Sequence, residues 1–137
     1  EKATVLKSFL DSLHSSGVRV NYDPANLVMV TGDDPVQGVY TLQDYIVHTH
    51  AKDGVMLKAT DPEKIYNYFA EGGIEDMRLE DYFLEKPLGE GNVDLNKYLK
   101  ALNEIGYKRF LTIEREVGEN PETDIKKAVS FLEKYLK

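Results

Sequence analysis

Three side chains have the types and placement to do chemistry together. They are Asp23 in Val20-Asn21-Tyr22-Asp23-Pro24-Ala25-Asn26, His50 in Tyr45-Ile46-Val47-His48-Thr49-His50-Ala51, and Glu114 in Phe110-Leu111-Thr112-Ile113-Glu114-Arg115-Glu116. Each closes a short run rich in β-branched and aromatic residues. Two carboxylates and an imidazole offer oxygen and nitrogen donors, a set that suits one divalent ion of Mn²⁺, Co²⁺, Mg²⁺ or Zn²⁺. An open metal site is therefore the leading expectation. The chain has no cysteine, which excludes thiolate ligands, a disulfide framework and a cysteine nucleophile.

Each residue also has a plainer reading. Asp23 before Pro24 reads equally as a turn residue capping the backbone near Asn26. His50 alone reads as a core histidine bonded to a neighbouring carbonyl. Glu114 alone reads as the ion-pair partner of Arg115, although adjacent strand residues point to opposite faces. Strand parity favours the joint reading. Asp23 shares a face with Asn21 and Arg19, His50 with His48 and Ile46, and Glu114 with Thr112 and Phe110. Val18, Val20, Val47, Leu111 and Ile113 lie opposite, where helices would cover them. All three candidates sit at carboxyl ends of strands, where ligands collect in parallel α/β folds.

The elements that must position them follow from periodicity and capping residues. Val5, Leu6, Phe9, Leu10 and Leu13 predict a helix over about 4–16 that stops at Gly17. A strand over 18–23 ends at Pro24. Asp33 or Asp34 with Pro35 opens a helix reaching about Asp44, and a strand over 45–51 follows at once. From 52 to 92 the pattern loosens into a long loop or lid containing one helix opened by Asp61-Pro62. Its Tyr66, Tyr68, Phe69, Tyr82 and Phe83 read as an interface cluster or as the segment's own small core. Gly89-Glu90-Gly91 reads as a structural turn, since an acid between the glycines argues against phosphate.

Asp94 caps a helix with Leu95, Tyr98, Leu99, Leu102 and Ile105 on one face, and a strand over 107–114 follows. Asn120-Pro121 opens the last helix, with Ile125, Ala128, Val129, Leu132, Tyr135 and Leu136 on its stripe. The order α-β-α-β-loop-α-β-α places the chain in the α/β class with parallel pairing and right-handed crossovers. Three parallel strands with both edges open suggest a piece of a larger barrel.

At 137 residues and 42% hydrophobic, the chain suits one ordinary domain. Its charge of −7 comes from 24 acidic against 17 basic residues, and the lysines are scattered. Nucleic-acid binding is disfavoured. No run approaches the roughly 18 apolar residues of a membrane span, and a cytoplasmic location is expected.

At these residues the chain resembles the sugar phosphate isomerase/epimerase family of xylose isomerase-like (β/α)₈ TIM barrels. The matching segments are Asn21-Tyr22-Asp23-Pro24-Ala25-Asn26-Leu27, Ile46 through Gly54, Pro87-Leu88-Gly89-Glu90-Gly91-Asn92-Val93-Asp94, and Ile105-Gly106-Tyr107 through Glu116. They occur in the family's order over nearly the whole chain. The resemblance implies that residues 1–137 are the C-terminal portion of such a barrel, about strands six to eight with flanking helices, with 52–92 as an inserted lid. A start in the helix after strand five leaves the family's fourth ligand, a glutamate ending that strand, outside the chain.

By the same resemblance Asp23, His50 and Glu114 bind one divalent metal, with His50 rather than His48 matching the ligand. Glu114 is also the catalytic base, moving the substrate α-proton through an enediolate. Asn26, His48, Lys52 and Asp53 are the substrate-binding candidates. The implied function is a metal-dependent isomerase or epimerase of a sugar or sugar phosphate once the barrel is complete. The rivals are a lyase of inosose-dehydratase type and a non-catalytic half-barrel that serves as a binding module. A homo-oligomer or a complementing N-terminal barrel half is the implied protein partner.

Overall fold

The computed structural model describes residues 1–74 and 76–135. In chain order the elements are α1 (Ala3–Leu13), β1 (Val20–Tyr22), α2 (Pro24–Asn26), a π-helical turn (Leu27–Thr31), α3 (Pro35–Thr41), β2 (Ile46–Ala51), β3 (Asp53–Met56), α4 (Pro62–Glu71), a 3-10 turn (Leu79–Asp81), β4 (Phe83–Lys86), α5 (Leu95–Glu104), β5 (Leu111–Ile113) and α6 (Pro121–Leu132). Leu136, expected on the last helical stripe, lies outside the described residues.

Strands β1, β2 and β5 form one parallel sheet in that order. Asn21 lies opposite His48, and His50 opposite Thr112, so the polar parity class lines one face. The other face carries the core. Val20 and Tyr22 are buried there, packed with Val39 and Leu42 near α3 and with Leu95, Tyr98, Ala101 and Leu102 of α5. Ile46 is buried too, despite its parity with His48. A register shift between Val20 and Asn21 removes it from the polar row.

The expectation of only three strands is corrected. β3 and β4 pair antiparallel from Asp53 with Lys86 to Met56 with Phe83, so the 52–92 segment contains a hairpin whose connection carries α4. The apolar run Leu27-Val28-Met29-Val30 packs against this hairpin. Such an unbroken run cannot sit on one ordinary helical stripe, and its wider π turn buries Val28, Met29 and Val30 in succession. Gly54 gives them room, since a Cβ there would lie 2.7 Å from Met29 Cγ.

The first helix also differs from expectation. It ends at Leu13, with His14 in the left-handed region at φ 46°, before Gly17 is reached. Ala3 and Leu10 are its buried residues, whereas Val5, Phe9 and Leu13 are exposed. Among the described residues no helix is long and apolar enough to cross a membrane.

Candidate metal centre

Asp23 follows β1 and caps α2. Its Oδ1 accepts the Asn26 amide at 2.9 Å, and its Oδ2 accepts the Asn26 side-chain amide at 3.0 Å. Pro24 at the first helical position fits this start, because its missing N–H would have no helical partner there. The turn reading of Asp23 thus holds, and it is compatible with a ligand role: the cap fixes the carboxylate at the strand end and aims Oδ2 at the neighbouring strand.

That neighbour presents His50. Its Nδ1 lies 3.3 Å from Asp23 Oδ2 and 2.6 Å from Glu114 Oε2. Its Nε2 lies 3.2 Å from the Asn21 amide nitrogen. The ring therefore contacts side chains from both adjacent strand ends, in contrast to a core histidine bonded to a carbonyl. Glu114 arrives from the residue after β5, its N–H donating to the Ala51 carbonyl at 3.3 Å. Arg115 turns away to Glu85 and Asp124, each at 2.9 Å, so the simple Glu114–Arg115 pair does not form.

One donor atom from each of Asp23, His50 and Glu114 lies within 4.8 Å of the others, the one such group found among the described residues. Glu114 Oε2 is buried without a hydrogen-bond partner. Its 2.6 Å approach to His50 Nδ1 brings two possible metal-ligating atoms together without hydrogen-bond alignment. Buried carboxylate oxygens are rarely left unsatisfied, and a cation between these atoms would satisfy this one. The donor set and the orphaned oxygen both fit a divalent ion.

Lys52, the single residue between β2 and β3, is almost fully buried beside this group. Its Nζ lies 3.5 Å from Glu114 Oε2, 4.0 Å from Asp23 Oδ2, 3.4 Å from Glu85 Oε2 and 3.3 Å from Glu116 Oε2. Burial alone would pull its pKa down, but the charges of Asp23, Glu114, Glu85 and Glu116 outweigh that effect and raise it above the ordinary lysine value.

The other expected substrate contacts sit in different places. Asn26 is exposed and lines a cleft of about 830 Å³ that also borders Lys52, Glu114 and the apolar side chains Ile65, Phe69 and Phe83. His48 lies one strand repeat before His50 on the same face, its Nε2 2.8 Å from Thr112 Oγ1 and outside the ligand group. Asp53 is buried and receives four backbone amides, from Gly54, Gly89, Gly91 and Val93. With both oxygens so occupied, its visible role is to fold the turn after β4.

Glu85, Arg115 and Asn21 contribute to the site and were not among the expected residues. Glu85 is carried by β4, within the segment whose sequence pattern is looser. Asn21 shares the strand parity of Asp23, and that was the signal available for it.

The family described as xylose isomerase-like TIM barrel matches residues 3–135. A solved structure of a xylose isomerase domain protein from Planctomyces limnophilus superposes with a TM-score of 0.75 at 27% identity, over 98% of this chain and 43% of that one. A D-tagatose 3-epimerase-like protein superposes with a TM-score of 0.58 at 20% identity, over 99% of this chain and 43% of that one, a likeness of fold alone. The chain thus spans less than half the length of these two structures. No curated protein matches it in sequence.

Proposed function

The chain belongs to the xylose isomerase-like TIM barrel family, and from that membership we propose that it carries the metal-binding strands of a sugar isomerase or epimerase, with β1, β2 and β5 as strands six to eight. The observation that carries the reading is the convergence of Asp23, His50 and Glu114 around a buried carboxylate oxygen that has no hydrogen-bond partner. Asp23, His50 and Glu114 would hold one divalent ion. When bound, that ion supplies Lewis-acid polarisation of a sugar carbonyl and its neighbouring hydroxyl.

The chain's own residues supply one side of the proton transfer. Glu114, a carboxylate facing the cleft, is the proposed base that removes the proton α to the carbonyl from one face of the sugar, and the glutamate ending strand five of the complete barrel would return a proton from the other. Asn26 and Lys52, at the cleft wall, are proposed to bind sugar hydroxyls, and His48 to bound the substrate from the sheet face. The exposed apolar side chains Val5, Phe9 and Phe110 support packing of further barrel surface, from an N-terminal half or a second copy, against this chain.

Calorimetric titration of Mn²⁺ and Co²⁺ into metal-stripped protein, with His50→Ala beside it, tests the centre. Saturable binding near one equivalent that the substitution removes is expected. Binding unaffected by His50→Ala would end the metal reading. The base role is tested by solvent exchange of the substrate α-proton in the complete barrel. Glu114→Gln should abolish it, and retained exchange would remove Glu114 from that role.

A further inference from the structure

Lys52 has two sets of carboxylate partners with different duties. The inner pair, Asp23 and Glu114, belongs to the candidate metal ligands, and the outer pair, Glu85 and Glu116, does not. Glu85 is the fixed member of the outer pair. Its Oε1 is clamped by Arg115 Nη1 at 2.9 Å and by the Glu116 amide at 3.0 Å, and Arg115 is anchored in turn by Asp124. That leaves Glu85 Oε2 directed at Lys52. The hairpin strand β4 is thereby tied through one ammonium to the ends of β1 and β5.

Resting on the metal reading, we propose that Lys52 is a built-in counter-cation for the metal ligands, and that Glu85 is the positioning residue that holds it to one side, so that the two together set the affinity of the centre for a divalent ion. The argument is one of charge. Without an ion, the Lys52 ammonium neutralises Asp23 and Glu114 from 4.0 and 3.5 Å. With an ion among the same oxygens, the ammonium stands beside a like charge in a poorly solvated site, and repulsion at that range is large. Its retreat is toward Glu85 and Glu116, which already hold it. Removing Lys52 therefore relieves a competitor, whereas removing the charge of Glu85 releases that competitor onto the ligands.

The test is calorimetric titration of Mn²⁺ alone into metal-stripped wild type, Lys52→Met, Glu85→Gln and the double variant, with His50→Ala marking binding at this centre. Lys52→Met should bind about tenfold more tightly or better, and Glu85→Gln several-fold more weakly. In the Lys52→Met background, Glu85→Gln should change the affinity little, because its effect acts through Lys52. Lys52→Gln, which removes the charge but keeps polar reach, provides the same comparison if Lys52→Met does not fold, with circular dichroism as the check. Unchanged or weaker binding on loss of Lys52, or an equal Glu85→Gln effect in both backgrounds, would overturn the proposal while His50-dependent binding kept the metal reading intact. Absence of His50-dependent binding in every folded variant would overturn both.

Discussion

The Gly91 amide donates to Asp53 Oδ2 at 2.9 Å, joining two residues 38 positions apart. It is one of four backbone amides held by that buried carboxylate, which pins the turn after β4 against β3 at the mouth of the site. Asp53→Ala leaves these amides without their acceptor. Water can reach part of the turn, so the expected loss is about 3 kcal/mol rather than the full sum of the four bonds. Denaturant unfolding measures it, and a change within error would mean that the carboxylate does not anchor the turn.

Gly91 itself has no room for a side chain. A Cβ there would overlap Asp53 Oδ1 and lie 2.6 Å from the Gly54 amide nitrogen, a backbone atom that cannot swing aside. Gly91→Ala should therefore destabilise the protein through the same turn, and combining it with Asp53→Ala should cost less than the separate losses added together. Full additivity in the double variant would show that the two substitutions damage different parts of the structure.

The residues that were easiest to read in the sequence are those fixed by local rules. Asp34, Asp61, Asp94 and Asn120 each accept a backbone amide at the start of a helix, as their positions predict. The convergence of Asp23, His50 and Glu114 was legible from strand parity, because parallel neighbours bring like-facing ends together. The hairpin was not, because Phe83-Leu84-Glu85-Lys86 is short and its partner lies beyond α4. The π turn has no signature in the sequence, because consecutive apolar residues carry no periodicity. Glu85 could not be placed before β4 was. The exposure of Val5 and Phe9 was hidden for another reason, since a helical stripe records what a face can bury and not what lies against it.

If Asp23, His50 and Glu114 hold a divalent ion in the folded chain and not in the unfolded one, the ion must stabilise the fold. With free Mn²⁺ at about 100 times its dissociation constant, the gain should be about 2.7 kcal/mol, reversed by a chelator. His50→Ala should show no such gain. Differential scanning calorimetry with and without Mn²⁺ provides the comparison, and an equal upward shift in both proteins would place the ion elsewhere.

At the opposite end of the sheet, Asp11 joins α1 to the approach to β2. Lys7 donates to its Oδ2 at 2.7 Å and the Tyr45 hydroxyl to its Oδ1 at 2.5 Å. These two partners, Lys7 first, hold the Asp11 carboxyl below its ordinary pKa. A pKa lowered by folding contributes stability above the unfolded value and loses it as pH falls through the folded one. The pair is exposed, so salt should weaken the effect. In an NMR titration, Tyr45→Phe should raise the Asp11 midpoint without restoring the ordinary value, because Lys7 remains. An unmoved midpoint would show that the tyrosine hydroxyl makes no such bond in solution.

Tyr98 supports the site from beneath without touching the candidate ligand atoms. Its hydroxyl donates to the His50 carbonyl at 3.1 Å and contacts the Thr49 hydroxyl, which donates to the Tyr22 carbonyl at 2.8 Å. This buried chain joins the carboxyl ends of β1 and β2, whose next residues along the polar face are Asp23 and His50. Burial also pushes the Tyr98 phenol above its ordinary pKa, so it stays a neutral donor well into alkaline solution. Tyr98→Phe keeps the ring packing and removes the link, with an expected loss of about 1 kcal/mol of stability. Because the strand ends are then less firmly joined, Mn²⁺ affinity should fall several-fold as well. Titration beside thermal unfolding separates the two effects. Lost stability with unchanged Mn²⁺ affinity would mean that Tyr98 serves the core alone and that the ligand geometry is held by the Asp23 cap and the sheet.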